Sequence, residues 1–228
     1  MIEAVSDRPP LTVICDFDDT AASQNVAHIL LERFAEGRDK KHVEDFRAGR
    51  ATFREYQERG FNEIRAPISE MEAHVRQNAA LRPGFTEAVA AARQAGAGFA
   101  VASAGLEFYI RPLLEREGHG ALPIVAVKAT QTAPGSAAPI RYDYPVSREG
   151  CGGDWAVCKC KVVQAAKAAG GTVVFVGDGM RSDACAAAKA DKVFARAKLL
   201  EHCNANGIRA TPFEDLFPLA DFLRQVSR

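Results

Sequence analysis

Two kinds of apolar pattern divide the chain. Beyond residue 81, short runs suited to strands alternate with helical periodicity: Thr86 to Ala95 reads as helix, Phe99 to Ala102 as strand, Glu107 to Glu117 as helix and Ile124 to Lys128 as strand. Two further runs, Leu11-Thr12-Val13-Ile14-Cys15 and Thr172-Val173-Val174-Phe175-Val176, have the β-branched composition of buried strands. Such alternation predicts parallel βαβ units, and hence an α/β protein. Between the first strand and residue 81 the pattern changes. From about Ala22 to Leu81 there is no convincing β pattern, while Val26, Ile29, Leu30 and Phe34 recur at helical spacing. Thr52-Phe53-Arg54-Glu55 and Ser69-Glu70-Met71-Glu72 both carry the capping-box pattern and predict two more helix starts. The predicted organisation is a core of residues 1–21 and 82–228, interrupted by a helical insertion of residues 22–81. Further on, a Pro- and Gly-containing connection from Thr132 to Pro139 leads to an exposed strand at Ile140 to Tyr144 and a helix from Val162 to Ala169. A helix from Ala184 to Ala190, a strand from Lys192 to Ala195 and two amphipathic helices complete the layers.

The strand ends carry the candidate chemistry. Asp16 and Asp18 come after the first run two residues apart, so in extended chain they share a face while Phe17 turns into the core. The run at 172–176 ends in Gly177-Asp178-Gly179-Met180-Arg181-Ser182-Asp183. If the two strands are neighbours, Asp16, Asp18 and Asp178 converge at one carboxyl edge, where α/β proteins bind ligands. Carboxylates that close repel one another and call for a cation, and hard oxygen donors favour Mg²⁺. Ser103, in the small-residue stretch Ala102-Ser103-Ala104-Gly105, could meet an anion together with backbone N–H groups. Taken singly, each signal has a plain alternative: an acidic turn, a helix N-cap at Ser103, a solvated lysine at Lys161.

In the order Asp-x-Asp-x-Thr, strand-Ser, Lys, then Gly-Asp-x₄-Asp, the set resembles the haloacid dehalogenase superfamily, most of whose members are phosphotransferases or phosphatases. Arg82-Pro83-Gly84-Phe85, the stretch Ala102 to Tyr109, and Arg111-Pro112-Leu113-Leu114 look like its phosphoserine-phosphatase-like branch. Tyr144-Pro145, with Cys151, Cys158 and Cys160 ahead of Lys161, resembles the methionine-salvage group within that branch, which acts on 2-hydroxy-3-keto-5-methylthiopentenyl-1-phosphate. The resemblance spans most of residues 11 to 200. It implies a Rossmann-like parallel sheet, a small helical cap after the first strand, Mg²⁺ as cofactor and a small phosphate monoester as substrate. By the same resemblance Asp16 would attack phosphorus to form an aspartyl-phosphate, and Asp18 would act as general acid and then base. Ser103, Ala104 and Lys161 would hold the phosphoryl oxygens, and Asp16, Asp18 and Asp178 would hold Mg²⁺. Asp183 would support the metal, through a bound water or by holding Lys161 in place.

Three positions depart from the pattern or leave a choice. Asp19 stands where the family often has Gly, which is tolerable if its side chain faces solvent or caps the next helix. Asp183 lies five residues after Asp178 where many of the branch use four, so Ser182 could share its role. Lys159 is an alternative to Lys161, which is preferred because it enters the helical pattern directly. Asn25, Arg50 and Arg54 are the insertion residues that could touch substrate, with Arg50 the choice among them, while His28 and His42 read as surface groups.

Composition narrows the partner. Lys plus Arg and Asp plus Glu both number 29, so no electrostatic case exists for nucleic acid or an anionic membrane, and a small molecule is expected. No basic segment leads into an apolar one at the start, and no apolar run approaches the ~20 residues that span a bilayer, so a cytoplasmic location is expected. The six cysteines then read as thiols. Cys151, Cys158 and Cys160 could alternatively bind Zn²⁺ with His119 or Cys185, although they lack Cys-x₂-Cys spacing. A homodimer is left open. The rival classes are a phosphomutase and a non-catalytic phosphate-ligand binding protein, and phosphoserine, phosphocholine or pyridoxal phosphate are the rival substrates.

Overall fold

The structure, a computed structural model, describes residues 11–131, 133, 139–146 and 155–226. The first ten residues of the expected core, most of the connection from Thr132 to Pro139, and Cys151 lie outside the described residues.

Chain order runs β1 (Leu11–Cys15), α1 (Val26–Phe34), α2 (Lys40–Arg47), α3 (Phe53–Asn62), α4 (Ile68–Asn78), α5 (Phe85–Gln94), β2 (Gly98–Leu106), α6 (Glu107–Arg116) and β3 (Ile124–Gln131). It continues with β4 (Ile140–Asp143), α7 (Lys159–Ala168), β5 (Thr172–Gly177), α8 (Met180–Ala187), β6 (Lys192–Ala195), α9 (Ala197–Ala205), β7 (Ala210–Pro212) and α10 (Phe217–Val226). The strands form one sheet in the order β4-β3-β2-β1-β5-β6-β7. All pairings are parallel except β3 with β4, where Lys128 faces Asp143. This is the expected Rossmann-like α/β fold with helices inserted after the first strand.

Burial explains the apolar runs. Val13, Cys15, Val174 and Val176 pack with α5, α6 and α10, whereas Ile14, Val173 and Phe175 pack with α7, α8 and α9 on the opposite face. Both faces of β1 and β5 are thus covered, so neither run alternates with polar residues. β1 sits between β2 and β5 with Cys15 level with Val101 and Val176, so the three strands deliver their C-terminal ends to one edge. Strand order diverges from β1 in both directions there, the topological switch point where such sheets bind ligands.

β2 runs further than its apolar core. Ala102 pairs with Val125 and Leu106 with Val127, so Ser103, Ala104 and Gly105 stand opposite the single residue Ala126 and bulge out of the ladder. In the insertion, Ala22 and Leu81 form an isolated bridge that closes the segment. Thr52 and Glu55 form the expected capping box of α3. α4, by contrast, starts at Ile68 after Pro67, with no cap from Ser69. Gln131 on β3 accepts the Ile68 N–H at 2.7 Å, so a tertiary partner sets that helix start. α7 and α8 likewise begin earlier than their periodicity suggests, at Lys159 and Met180.

Candidate active site

The chain leaves β1 through a tight turn, Phe17–Ala21, which aims two carboxylates differently. Asp16 is 6% exposed, and its Oδ1 accepts the Phe17 N–H at 2.7 Å. Phe17 itself is buried in the core. Asp18 Oδ1 accepts the Val26 N–H at 2.7 Å, at the start of α1, and its Oδ2 accepts from the Tyr109 hydroxyl at 2.8 Å. Burial raises Asp18 above the usual carboxylate range, and these two bonds oppose the rise. Tyr109 reaches Asp18 only because Gly105 has no side chain: a Cβ there would lie 1.8 Å from the Tyr109 oxygen. Asp19 adopts φ 57°, the left-handed region that glycine favours and aspartate tolerates. Its side chain accepts from Asn25 Nδ2 at 3.3 Å, while Asn25 caps α1, so Asp19 contributes to the start of the next helix. The turn is held from below by Arg82, whose guanidinium donates to the carbonyls of Thr20 (2.7 Å), Asp19 (2.6 Å) and Glu214 (2.8 Å).

Lys159, not Lys161, enters the acid cluster. α7 starts at Lys159, whose Nζ lies 2.6 Å from Asp16 Oδ1 and 2.6 Å from Asp183 Oδ1. Two positions later the helix has turned by about 200°, so Lys161 is half-buried elsewhere and does not line the cavity. Burial alone would depress Lys159, but the Asp16 and Asp183 carboxylates outweigh it and hold the ammonium above its usual range. Asp183 is fully buried. Its Oδ1 also accepts from Ser182 Oγ at 2.9 Å, and its Oδ2 accepts the N–H groups of Asp178 (3.2 Å) and Gly179 (3.0 Å). The five-residue spacing therefore folds the first turn of α8 back over the end of β5, and Gly177 leaves the room, since a Cβ there would lie 2.6 Å from Asp183 Oδ2.

Carboxylate oxygens of Asp16, Asp178 and Asp183 all lie within 4.8 Å of one another. Burial and the charge of Asp183 push Asp178 up to about 6, although Thr20 Oγ1 donates to its Oδ1 at 2.9 Å. The same two causes raise Asp16, against the pull of Lys159. A site that strains its own carboxylates in this way, with oxygen donors alone, fits a hard dication. The Asp18 side chain, engaged by Val26 and Tyr109, stands outside this group.

Above the cluster opens a cavity of about 430 Å³. Asp16, Asp18, Ser103, Ala104, Lys159 and Asp178 line it together, as do Asn25, His28 and Arg181. Ser103 Oγ accepts the Gly105 N–H at 3.0 Å, which leaves its hydroxyl hydrogen free to turn toward a ligand. The opposite wall is aromatic: Phe46, Phe53, Tyr56, Phe61 and Trp155. Phe46 stacks on Tyr56 at 5.1 Å and 13°, and Phe53 meets Trp155 at 5.5 Å. Arg50 is corrected by the structure: it is exposed, paired with Asp45 at 2.8 Å, and absent from the cavity lining. Arg54 instead lies over the Tyr144 ring at 3.9 Å. His42 pairs with Glu63 at 3.1 Å, and His119 contacts Thr86 Oγ1 at 2.9 Å. The Cys158 and Cys160 sulfurs are 3.2 Å apart, but among the described residues no cysteine joins a metal-ligand group.

A mostly parallel sheet whose switch point gathers three carboxylates and a buried lysine, beside the bulged turn at Ser103, has its ligand site where such α/β folds bind small molecules. The family model described as haloacid dehalogenase-like hydrolase matches residues 13–188, and the chain belongs to that family. The bifunctional enzyme MtnB/MtnX of Bacillus licheniformis is 30% identical over 222 residues, covering 96% of this chain, which spans 50% of that protein's length. The 2-hydroxy-3-keto-5-methylthiopentenyl-1-phosphate phosphatase of an Exiguobacterium strain is 27% identical over 218 residues, covering 94% of this chain and 98% of that protein. Among solved structures, a phospho-aspartyl intermediate analogue of phosphoserine phosphatase superposes with a TM-score of 0.68 at 18% identity, covering 95% of this chain and 99% of that one. A probable phosphoserine phosphatase from Vibrio cholerae gives 0.71 at 19% identity, covering 98% and 68%. The protein is accordingly an α/β protein of the haloacid dehalogenase-like hydrolase family. No helix among the described residues is long and apolar enough to cross a membrane.

Proposed function

We propose that the protein is a Mg²⁺-dependent phosphatase of a small phosphate monoester, working through an aspartyl-phosphate, with the enol phosphate of methionine salvage as its substrate. One observation carries the proposal: Asp16, Asp18, Ser103, Lys159 and Asp178 face a single cavity, three strand ends and one helix start contributing to it. Asp16, fixed by Phe17 N–H and Lys159, is the nucleophile. Asp18, turned toward the cavity by Tyr109 and Val26, protonates the leaving oxygen and then takes a proton from the attacking water. Ser103, the bulged backbone beside it and Lys159 hold the phosphoryl oxygens as charge spreads over them. Mg²⁺, held by Asp16, Asp178 and the Asp18 backbone carbonyl with Asp183 behind them, would neutralise phosphoryl charge. Residues 22–81 serve as the cap, excluding water and shaping the leaving-group space.

The aromatic wall favours a neutral, largely apolar leaving group over serine, whose ammonium and carboxylate would both have to be desolvated there. Thiols at Cys15, Cys158, Cys185 and Cys203 suit a reducing compartment and support a cytoplasmic location. Ranking phosphate esters by kcat/KM tests the reading, with the methylthio enol phosphate expected to lead phosphoserine by at least about tenfold. The reverse order would replace the substrate and keep the chemistry. Absence of Mg²⁺-dependent phosphate release from every ester, a generic aryl phosphate included, would remove the chemistry itself.

The metal proposal has its own pH signature. Asp178 is pushed up to about 6 in the folded chain, above its unfolded value near 4, so the stability it contributes is present at low pH and lost as pH rises through 6. A bound dication restores what the ionised cluster loses. The rise in Tm on adding Mg²⁺ is therefore expected to be largest above about pH 7 and to shrink as pH falls below 6. A rise that is unchanged between these limits would place the cation elsewhere.

A further inference from the structure

Gln57 is a polar exception on an apolar face. Phe53, Tyr56, Gln57 and Phe61 recur at helical spacing along α3, and all four line the cavity. Gln57 is 4% exposed. Its Nε2 donates to the Ala104 carbonyl at 3.0 Å, crossing from the inserted helices to the sheet. The other half of the carboxamide is idle: Gln57 Oε1 is buried and accepts no hydrogen bond. Folded proteins rarely leave a buried acceptor unmade, and such a group marks a place where a partner arrives.

We infer that Gln57 is a specificity-determining residue, its Oε1 accepting a hydrogen bond from a hydroxyl on the leaving group close to the ester oxygen. This rests on the phosphatase reading of the same cavity. Closeness comes from the carboxamide itself. Nε2 is bound to Ala104, next to Ser103 in the turn assigned to the phosphoryl group, and Oε1 is the other atom of the same amide. The inference places that donor on the carbon adjoining the phosphate-bearing one, with the rest of the leaving group apolar, against the cavity-lining Phe53, Tyr56 and Phe61. A site built to pair with a hydroxyl rejects the analogue that lacks it, because the acceptor is then left buried and unmade.

Three esters test the assignment on the Mg²⁺-loaded enzyme: pentyl phosphate with a hydroxyl on the carbon next to the phosphate-bearing one, its methyl ether, and plain pentyl phosphate. The hydroxy ester is expected to exceed both others by about 10- to 100-fold in kcat/KM. Comparable values for all three overturn the assignment with no variant needed. Gln57→Met keeps the side-chain length and removes the acceptor, and is expected to bring the hydroxy-to-plain ratio within about twofold of one. A drop of equal size on every ester, with the ratio intact, would mean that Gln57 serves only to tie α3 to Ala104, and would also overturn it. Failure to release phosphate from an aryl phosphate would instead fault the phosphatase reading, an outcome separable from loss of the ratio alone.

Discussion

Asp16→Asn is expected to lower phosphate release by at least about 10⁴-fold while the protein stays folded. Asparagine has the same shape, and its Oδ1 can still accept the Phe17 N–H that fixes the aspartate. What it lacks is the charge and lone-pair strength to attack phosphorus. The folded state loses little by the change. Lys159 keeps Asp183 at 2.6 Å, and the cluster sheds one of three carboxylates whose repulsion already raises Asp16 and Asp178. The metal-free variant is thus expected to melt no lower than the parent, and its gain in Tm from Mg²⁺ to be smaller because one oxygen donor is weakened. Steady-state phosphate release and a thermal melt with and without Mg²⁺ measure both effects. Activity above about 1% of the parent would assign the attack to another group.

The acids were legible for a local reason. A strand is a short apolar run, and the one or two residues after it sit at the sheet edge by chain position alone. Asp16 and Asp178, directly after the apolar runs of β1 and β5, could therefore be placed at the sheet edge with no knowledge of packing, with Asp18 close behind, and Ser103 just past the apolar run that begins β2. Lys159 was harder because a helix start is decided by contacts. The weak apolar pattern of α7 begins at Val162, yet the helix begins at Lys159, pulled inward by Asp16 at the end of β1 and Asp183 in the first turn of α8. A shift of two residues changes the face by about 200°, which separates a buried ligand from a half-buried neighbour. The start of α4 failed for the same cause, since Gln131, 63 positions away, accepts its first N–H. The cavity wall was not legible at all. Periodicity gives α2 and α3 an apolar stripe, but whether Phe46, Tyr56 and Gln57 face the sheet or one another depends on how the inserted helices dock. Tyr109 reaches Asp18 across 91 positions, a contact that only the absence of a side chain at Gly105 permits.

Lys159→Ala and Lys161→Ala are expected to differ by about two to four orders of magnitude in kcat/KM, the first falling and the second remaining within about twofold of the parent. Lys159 is 2% exposed and is sandwiched between the proposed nucleophile and Asp183, so it can serve two purposes. In the resting site it offsets two buried carboxylates, and removing one partner of such an arrangement costs about 3–5 kcal/mol. With substrate bound, it can turn the same charge toward the phosphoryl oxygens. The two purposes separate experimentally. Saturating Mg²⁺ should recover much of the lost Tm of Lys159→Ala, because a dication also offsets the carboxylates, but it should not recover kcat/KM, because the ammonium donor to phosphate is gone. Inhibition by inorganic phosphate reports the same loss without turnover: the inhibition constant should rise for Lys159→Ala and hold for Lys161→Ala. Should Lys161→Ala be the variant that loses phosphate affinity, α7 would have to rotate when substrate binds, and the pairing of Lys159 with Asp16 and Asp183 would be a resting-state lock with no part in holding phosphate.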